Sequence, residues 1–168
     1  DADKNRIVSN SIYGPGQGRG VWIIDGDQNL IANNFRIARH SVYGIDLGMS
    51  PASNTIIGNT IFSNATAGIV LFDSACVANR VVSNSIYGPG QGEGIRFDNA
   101  DRNVVTNNQR IAGNTLYGIY MFATAGTNTI RGNTIRSNNI IGVELSGAAV
   151  DGNRIVSNTI DSGAAGTF

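Results

Sequence analysis

The chain has 168 residues, enough for one modest domain. Twelve basic residues balance twelve acidic ones, and charged residues are only 14% of the total, so neither a basic nucleic-acid surface nor an acidic tail is expected. Hydrophobic residues make up 41%, no apolar run approaches membrane-spanning length, and a single cysteine excludes an intrachain disulfide.

In chain order, one phrase keeps returning: Asn, any residue, Ile or Val, two residues, Asn. It begins at Asn5, Asn29, Asn54, Asn79, Asn103, Asn128 and Asn153, with spacings of 24 or 25 residues. So tight a period means stacked structural units. Each unit then carries a glycine followed by alternating apolar residues, at Gly20, Gly44, Gly68, Gly94, Gly118 and Gly142. Gly166 comes a residue or two early. Units three apart agree best. Residues 5–78 align with 79–152 without a gap, and 36 of 74 positions are identical. The chain is therefore a duplicated three-unit block.

Within a unit the apolar period is two, which argues for strands. Four ladders of equivalent positions emerge. The first runs from Ile7 through Ile31 and Ile56 to Ile155, and the second from Ile12 through Ile37 and Ile61 to Ile160. The third runs from Val21 to Val143, and the fourth from Ile23 to Leu145. β-Branched residues dominate, as stacked strands prefer. The expected architecture is an all-β, right-handed parallel β-helix, a β-solenoid of about seven coils of 24–25 residues. Each coil would rise about 4.8 Å, the spacing between paired strands. Residues 1–168 read as a single domain, expected to be a segment of a longer solenoid. Flanking coils, or copies stacked end to end, would then be its partners. Asn10, Asn34, Asn59, Asn84, Asn108, Asn133 and Asn158 fall where each coil should bend. Asn tolerates the left-handed backbone region, bonds its own turn and can bond along the axis, so this ladder is structural.

The phrases Asn59-Thr60-Ile61-Phe62-Ser63-Asn64 and Gly44-Ile45-Asp46-Leu47-Gly48 resemble the repeats of right-handed parallel β-helix proteins. These form the pectate-lyase-like superfamily, and the likeness is to its branch of Asn-Gly-Ile repeats. That branch includes copper-accessory periplasmic proteins, carbohydrate-binding and sugar-hydrolase modules, mannuronan epimerases and bacterial surface proteins. The resemblance covers residues 5–168 and implies an extracellular, cell-surface or periplasmic setting. It is specific for fold and much less so for function, because members do different jobs on one scaffold.

An outward stripe follows the glycine ladder: Trp22, Asp46, Val70, Arg96, Tyr120 and Glu144. An extended polysaccharide lying across it would meet aromatic, carboxylate and guanidinium groups. The ligand-binding candidates are therefore Trp22, Asp46, Arg96, Tyr120 and Glu144. If the chain were an enzyme, Asp46, Arg96, Tyr120 and Glu144 would carry the chemistry with His40, the only histidine, as a lone base near Asp46. The diagnostic motifs of epimerases and polygalacturonases in that superfamily are missing. The leading expectation is a non-catalytic structural or polysaccharide-binding module; the alternative is a uronate lyase, C5-epimerase or glycoside hydrolase.

His40 otherwise reads as a surface loop residue, and no multi-histidine metal site can be built. No cofactor is expected, with calcium relevant only to a lyase-like enzyme. Asp25 and Asp27, the local pair that could hold calcium weakly, read better as turn residues. Cys76 aligns with small or apolar residues and reads as a buried filler. Gly14-Pro15-Gly16-Gln17-Gly18 recurs letter for letter as Gly88-Pro89-Gly90-Gln91-Gly92, and both are expected to form identical turn loops.

Overall fold

The computed structural model describes residues 2–161. The chain winds into a parallel β-solenoid with three sheets. The first sheet stacks seven three-residue strands from Arg6–Val8 to Arg154–Val156. The second stacks seven from Ser11–Tyr13 to Thr159–Asp161. The third stacks six longer strands from Arg19–Ile24 to Ile141–Ser146. In every sheet each strand pairs in parallel with the strand three elements on, so one coil supplies one strand per sheet. The described residues make six full coils and two strands of a seventh; the strand expected after Gly166 lies outside them.

The four apolar ladders face inward in register. Ile7 sits against Ile31, Ile12 against Ile37, Val21 against Ile45 and Ile23 against Leu47, and the pattern continues along the rod. In the middle coils Ile56, Ile61, Ile69 and Leu71 are fully buried. Cys76 joins this core as a buried filler. Its thiol is pushed up to about 12, chiefly by burial. At the far end Leu145 is 44% exposed and Ile160 is 50% exposed, because no described coil covers them.

Three internal amide ladders hold the corners, where the sequence had marked one. In the expected ladder, Asn34 donates its backbone N–H and its Nδ2 to Asn59 Oδ1, at 3.0 and 2.8 Å. Its Nδ2 also donates to the Ile7 carbonyl at 2.9 Å. A second ladder joins Asn5, Asn29, Asn54, Asn79, Asn103, Asn128 and Asn153 in the same way. The third joins His40, Asn64, Gln91, Asn114 and Asn138. The bonds run mainly along the axis, which satisfies groups that close packing would otherwise strand. The left-handed residue is the one before the ladder position, not the ladder Asn itself. Ser9 (φ 59°), Asn33 (51°) and Ser83 (53°) show this at one corner, and Lys4 (56°) and Ala78 (56°) at the next.

The identical Gly-Pro-Gly-Gln-Gly segments do not form identical loops. Gln91 is buried: its Oε1 accepts from the Asn64 backbone N–H at 3.2 Å and its Nε2 donates to Asn114 Oδ1 at 2.8 Å. Gln17 is exposed and folds back over Gly14. Gln17 has His40 where Gln91 has Asn114, so the amide partner that draws Gln91 inward is missing.

Candidate functional site

The outward face of the third sheet holds the predicted stripe in axial order. Trp22 pairs with Asp46, Asp46 with Val70, Val70 with Arg96, Arg96 with Tyr120 and Tyr120 with Glu144. Two flanking columns escaped the sequence reading. One holds Arg19, Tyr43, Ala67, Glu93 and Tyr117. The other includes Gly48, Phe72, Asp98 and Phe122. Simple alternation hides the first of them. The ladder glycine and the next residue both face inward, so Arg19 and Trp22 share a face although three positions apart. The glycine ladder itself was the available signal. A Cβ on Gly44 would lie 2.6 Å from the Gly68 carbonyl oxygen and 2.7 Å from Asn64 Nδ2, so this position admits no side chain.

Small residues in the middle coils open a cleft. Val70 and Gly48 form its floor, and Trp22, Tyr43, Phe72, Arg19, Arg96 and Asp98 its walls, around about 330 Å³. That is the lower end of small-ligand sites, which span about 300–1,000 Å³. Trp22 is 52% exposed and offers an aromatic face. The Arg19 guanidinium lies 4.3 Å from the Trp22 ring centre and 5.5 Å from that of Tyr43, and its Nε donates to Asp46 Oδ2. Asp46 is buried; burial raises its pKa and Arg19 draws it back down.

Arg96 is held from two sides. Its Nη2 donates to Asp98 Oδ2 at 2.9 Å, and its Nη1 lies 3.8 Å from Glu93 Oε1. It stands 5.7 Å from the Tyr120 ring centre, in a cluster where Tyr120 stacks on Tyr117 at 4.9 Å. Burial raises the Glu93 pKa, Arg96 lowers it, and Asp98 adds to the rise. Glu93 Oε2 is buried without a hydrogen bond. Thus the structure gathers Trp22, Asp46 and Arg96 around the cleft. Tyr120 touches it through Arg96, and Glu144 stands one coil farther on.

His40 belongs elsewhere, and both sequence readings of it are corrected. It is 1% exposed, neither on the surface nor beside Asp46. Its ring points into the solenoid under Gly20, in the corner ladder where Asn114 stands in the repeat. Neither ring nitrogen has a hydrogen-bond partner meeting normal geometry, and burial lowers its pKa. Asp27 is a turn residue as expected: its Oδ1 accepts from the Ala52 backbone N–H at 2.7 Å. Asp101 does the same for Gly126.

The family model described as right handed beta helix region matches residues 1–92. That described as periplasmic copper-binding protein (NosD) matches residues 76–168. The chain belongs to the right-handed β-helix repeat family. Among solved structures, this β-helix superposes on a point mutant of the periplasmic alginate epimerase AlgG with a TM-score of 0.85 at 20% identity, over 94% of this chain and 40% of that one. Unmodified AlgG gives 0.76 at 21% identity, over 90% and 39%. At this identity the likeness is one of fold, and the β-helix spans about 40% of the epimerase's length. No curated protein matches the sequence. One family description names copper, a metal that prefers soft sulfur and imidazole donors. Cys76 and Met121 are buried in the core, His40 is in a corner ladder, and Met49 is 58% exposed at the cleft edge. Among the described residues these donors do not make a copper site.

Proposed function

We propose that this β-helix is a non-catalytic carbohydrate-binding module working in the periplasm or outside the cell. The single observation that carries this reading is the aromatic-walled cleft on the third sheet. Sugar rings present apolar faces to Trp22, Tyr43 and Phe72, while hydroxyls meet the preset donors and acceptors of Arg19, Asp46, Arg96 and Asp98. The names carried by one matching family and by the superposed epimerase support the setting.

Charge indicates the kind of sugar. Arg19 is occupied by Asp46, and Arg96 by both Glu93 and Asp98. Two guanidiniums face three carboxylates, so the cleft offers no surplus positive charge to an acidic ligand. A neutral, hydroxyl-rich glycan fits it better than a uronate. The catalytic alternative has less support. His40 faces the interior, Asp46 is tied to Arg19, and Glu144 stands two coils from Arg96.

The test is retention on gels of neutral glucans and of polygalacturonate, with products followed by ultraviolet absorbance and reducing ends. We expect retention on a neutral glucan, lost in Trp22→Ala, and no product. Product formation abolished by Asp46→Asn or Arg96→Ala would establish the enzyme reading instead.

A further inference from the structure

Net charge is zero, yet the charges are sorted by face. The strands of the first two sheets, and the turn between them, carry among the described residues a single acid, Asp161, at the end of the last strand. The same surfaces carry most of the arginines. Arg6, Arg80 and Arg154 repeat every three coils on the first sheet, and Arg36 and Arg110 do so on the second. The acids lie on the third sheet and the turn that follows it, from Asp25 and Asp27 to Asp98 and Asp151.

The arginines of the second sheet are preset. The Arg36 guanidinium lies 3.6 Å from the ring centre of Tyr13, one coil back. The duplicated unit repeats this: Arg110 lies 3.8 Å from the centre of Tyr87. Arg39 adds a hydrogen bond to the Tyr13 hydroxyl at 2.9 Å. Stacking fixes the plane of a guanidinium, which lowers the entropy lost on binding an oxyanion. Arg36 Nε is buried without a hydrogen-bond partner, which leaves the terminal N–H groups for a ligand. None of Arg6, Arg36, Arg39, Arg80, Arg110 or Arg154 has a carboxylate within ion-pair distance among the described residues. Interior ion pairing therefore does not explain them.

From this we infer that the faces of the first two sheets form a second binding surface, for a linear acidic polysaccharide lying along the rod. Arginine is the residue suited to bidentate grip on carboxylate or sulfate. A rigid rod presents the grips in lines, about 14 Å apart for three coils of strand spacing, which matches a polymer with regularly placed charges. A planar lipid surface fits less well, because the two sheets meet at a corner. Phe35, 65% exposed beside Arg36, offers a free ring to the sugar. This surface is independent of the cleft on the third sheet.

The experiment uses the whole chain, immobilised polygalacturonate and dextran sulfate as probes, uncharged dextran read with Trp22→Ala as the control free of any cleft contribution, and phosphatidylglycerol vesicles as the competing surface. We expect binding to both polyanions, weakening at least about tenfold between low and moderate salt as counterion release requires. Arg36→Gln with Arg110→Gln should weaken it about tenfold, the loss of two charge-assisted contacts, while Trp22→Ala leaves it unchanged. If the double variant loses helix structure, Arg6→Gln, Arg80→Gln and Arg154→Gln together make the same test on exposed positions. Polyanion binding that survives both sets of changes would overturn the inference. So would binding lost only in Trp22→Ala, or capture by vesicles with none by polysaccharide. Because the cleft is tested on neutral glucans with Trp22→Ala, either reading can fail without the other.

Discussion

Asn84 shows how much one residue does in this fold. Its backbone N–H donates to Asn108 Oδ1 at 2.8 Å, and its Nδ2 donates to the Ile56 carbonyl at 2.9 Å. Its Oδ1 accepts from the Asn59 backbone N–H at 2.9 Å. Replacement by leucine keeps the backbone bond to Asn108 but strands the Ile56 carbonyl and the Asn59 N–H on the preceding coil, at about 1–3 kcal/mol for each. Asn84→Leu should therefore lower the urea midpoint steeply; an unchanged midpoint would show that the ladder is not what holds the coils. His40 gives a pH prediction. Burial lowers its pKa from the usual 6.5, so the unfolded chain takes up a proton more readily than the folded one. Its contribution is intact above about pH 6.5 and is lost as pH falls below that. Asp46 and Glu93 are shifted the other way, so their effect relaxes on acidification and must be separated. His40→Asn, which restores the ladder amide, should melt higher than the parent at about pH 5 and narrow the gap at about pH 7. An equal gap at both values would contradict the assignment. The sequence hid this role because the third ladder mixes His, Asn and Gln, with Gln91 reaching in from a loop. No repeated letter marks it, whereas the other two ladders spell Asn seven times each.

At the scale of the strand, the inward ladders were legible because period two and β-branching agree at every coil. The central outward column was legible too, and its register matches residue by residue. Its chemistry was not, since Asp46 and Arg96 act through Arg19 and Glu93, in a column that simple alternation places wrongly, and through Asp98 at the strand end. Two substitutions probe this sheet. Gly44→Ala puts a methyl 2.6 Å from the Gly68 carbonyl oxygen and 2.7 and 2.8 Å from the buried side chains of Asn64 and Ile61, which close packing keeps from yielding. It should cost several kcal/mol, on the order of a disruptive core change, read by thermal melting; a neutral outcome would mean that the coils can part locally. Asp98→Asn removes one of the two carboxylates on Arg96. It should raise the affinity of the cleft for a uronate oligomer several-fold relative to a neutral one, measured by calorimetry. No change in that ratio would show that cleft charge does not choose the ligand.

The whole molecule is a rod with different chemistry on each flank: an aromatic cleft among acids on one side, arginine lines on the other. The Ile, Leu and Asn stacks make it stiff, because each coil contacts only its neighbours and repeats the same bonds. That stiffness holds Trp22, Tyr43 and Phe72 in a fixed cleft without a lid or hinge. The central claim is that this cleft binds sugar, and the chain carries its own reporter. Trp22 is the only tryptophan, and it lines the cleft at 52% exposure. Titrating the chain with a neutral glucan oligomer while recording tryptophan emission tests the claim most directly. A saturable change in emission, flattened when Arg96→Ala or Asp98→Ala disturbs the opposite wall, is the predicted result. Emission unmoved by every neutral oligomer at millimolar concentration, in protein shown to be folded, would contradict it.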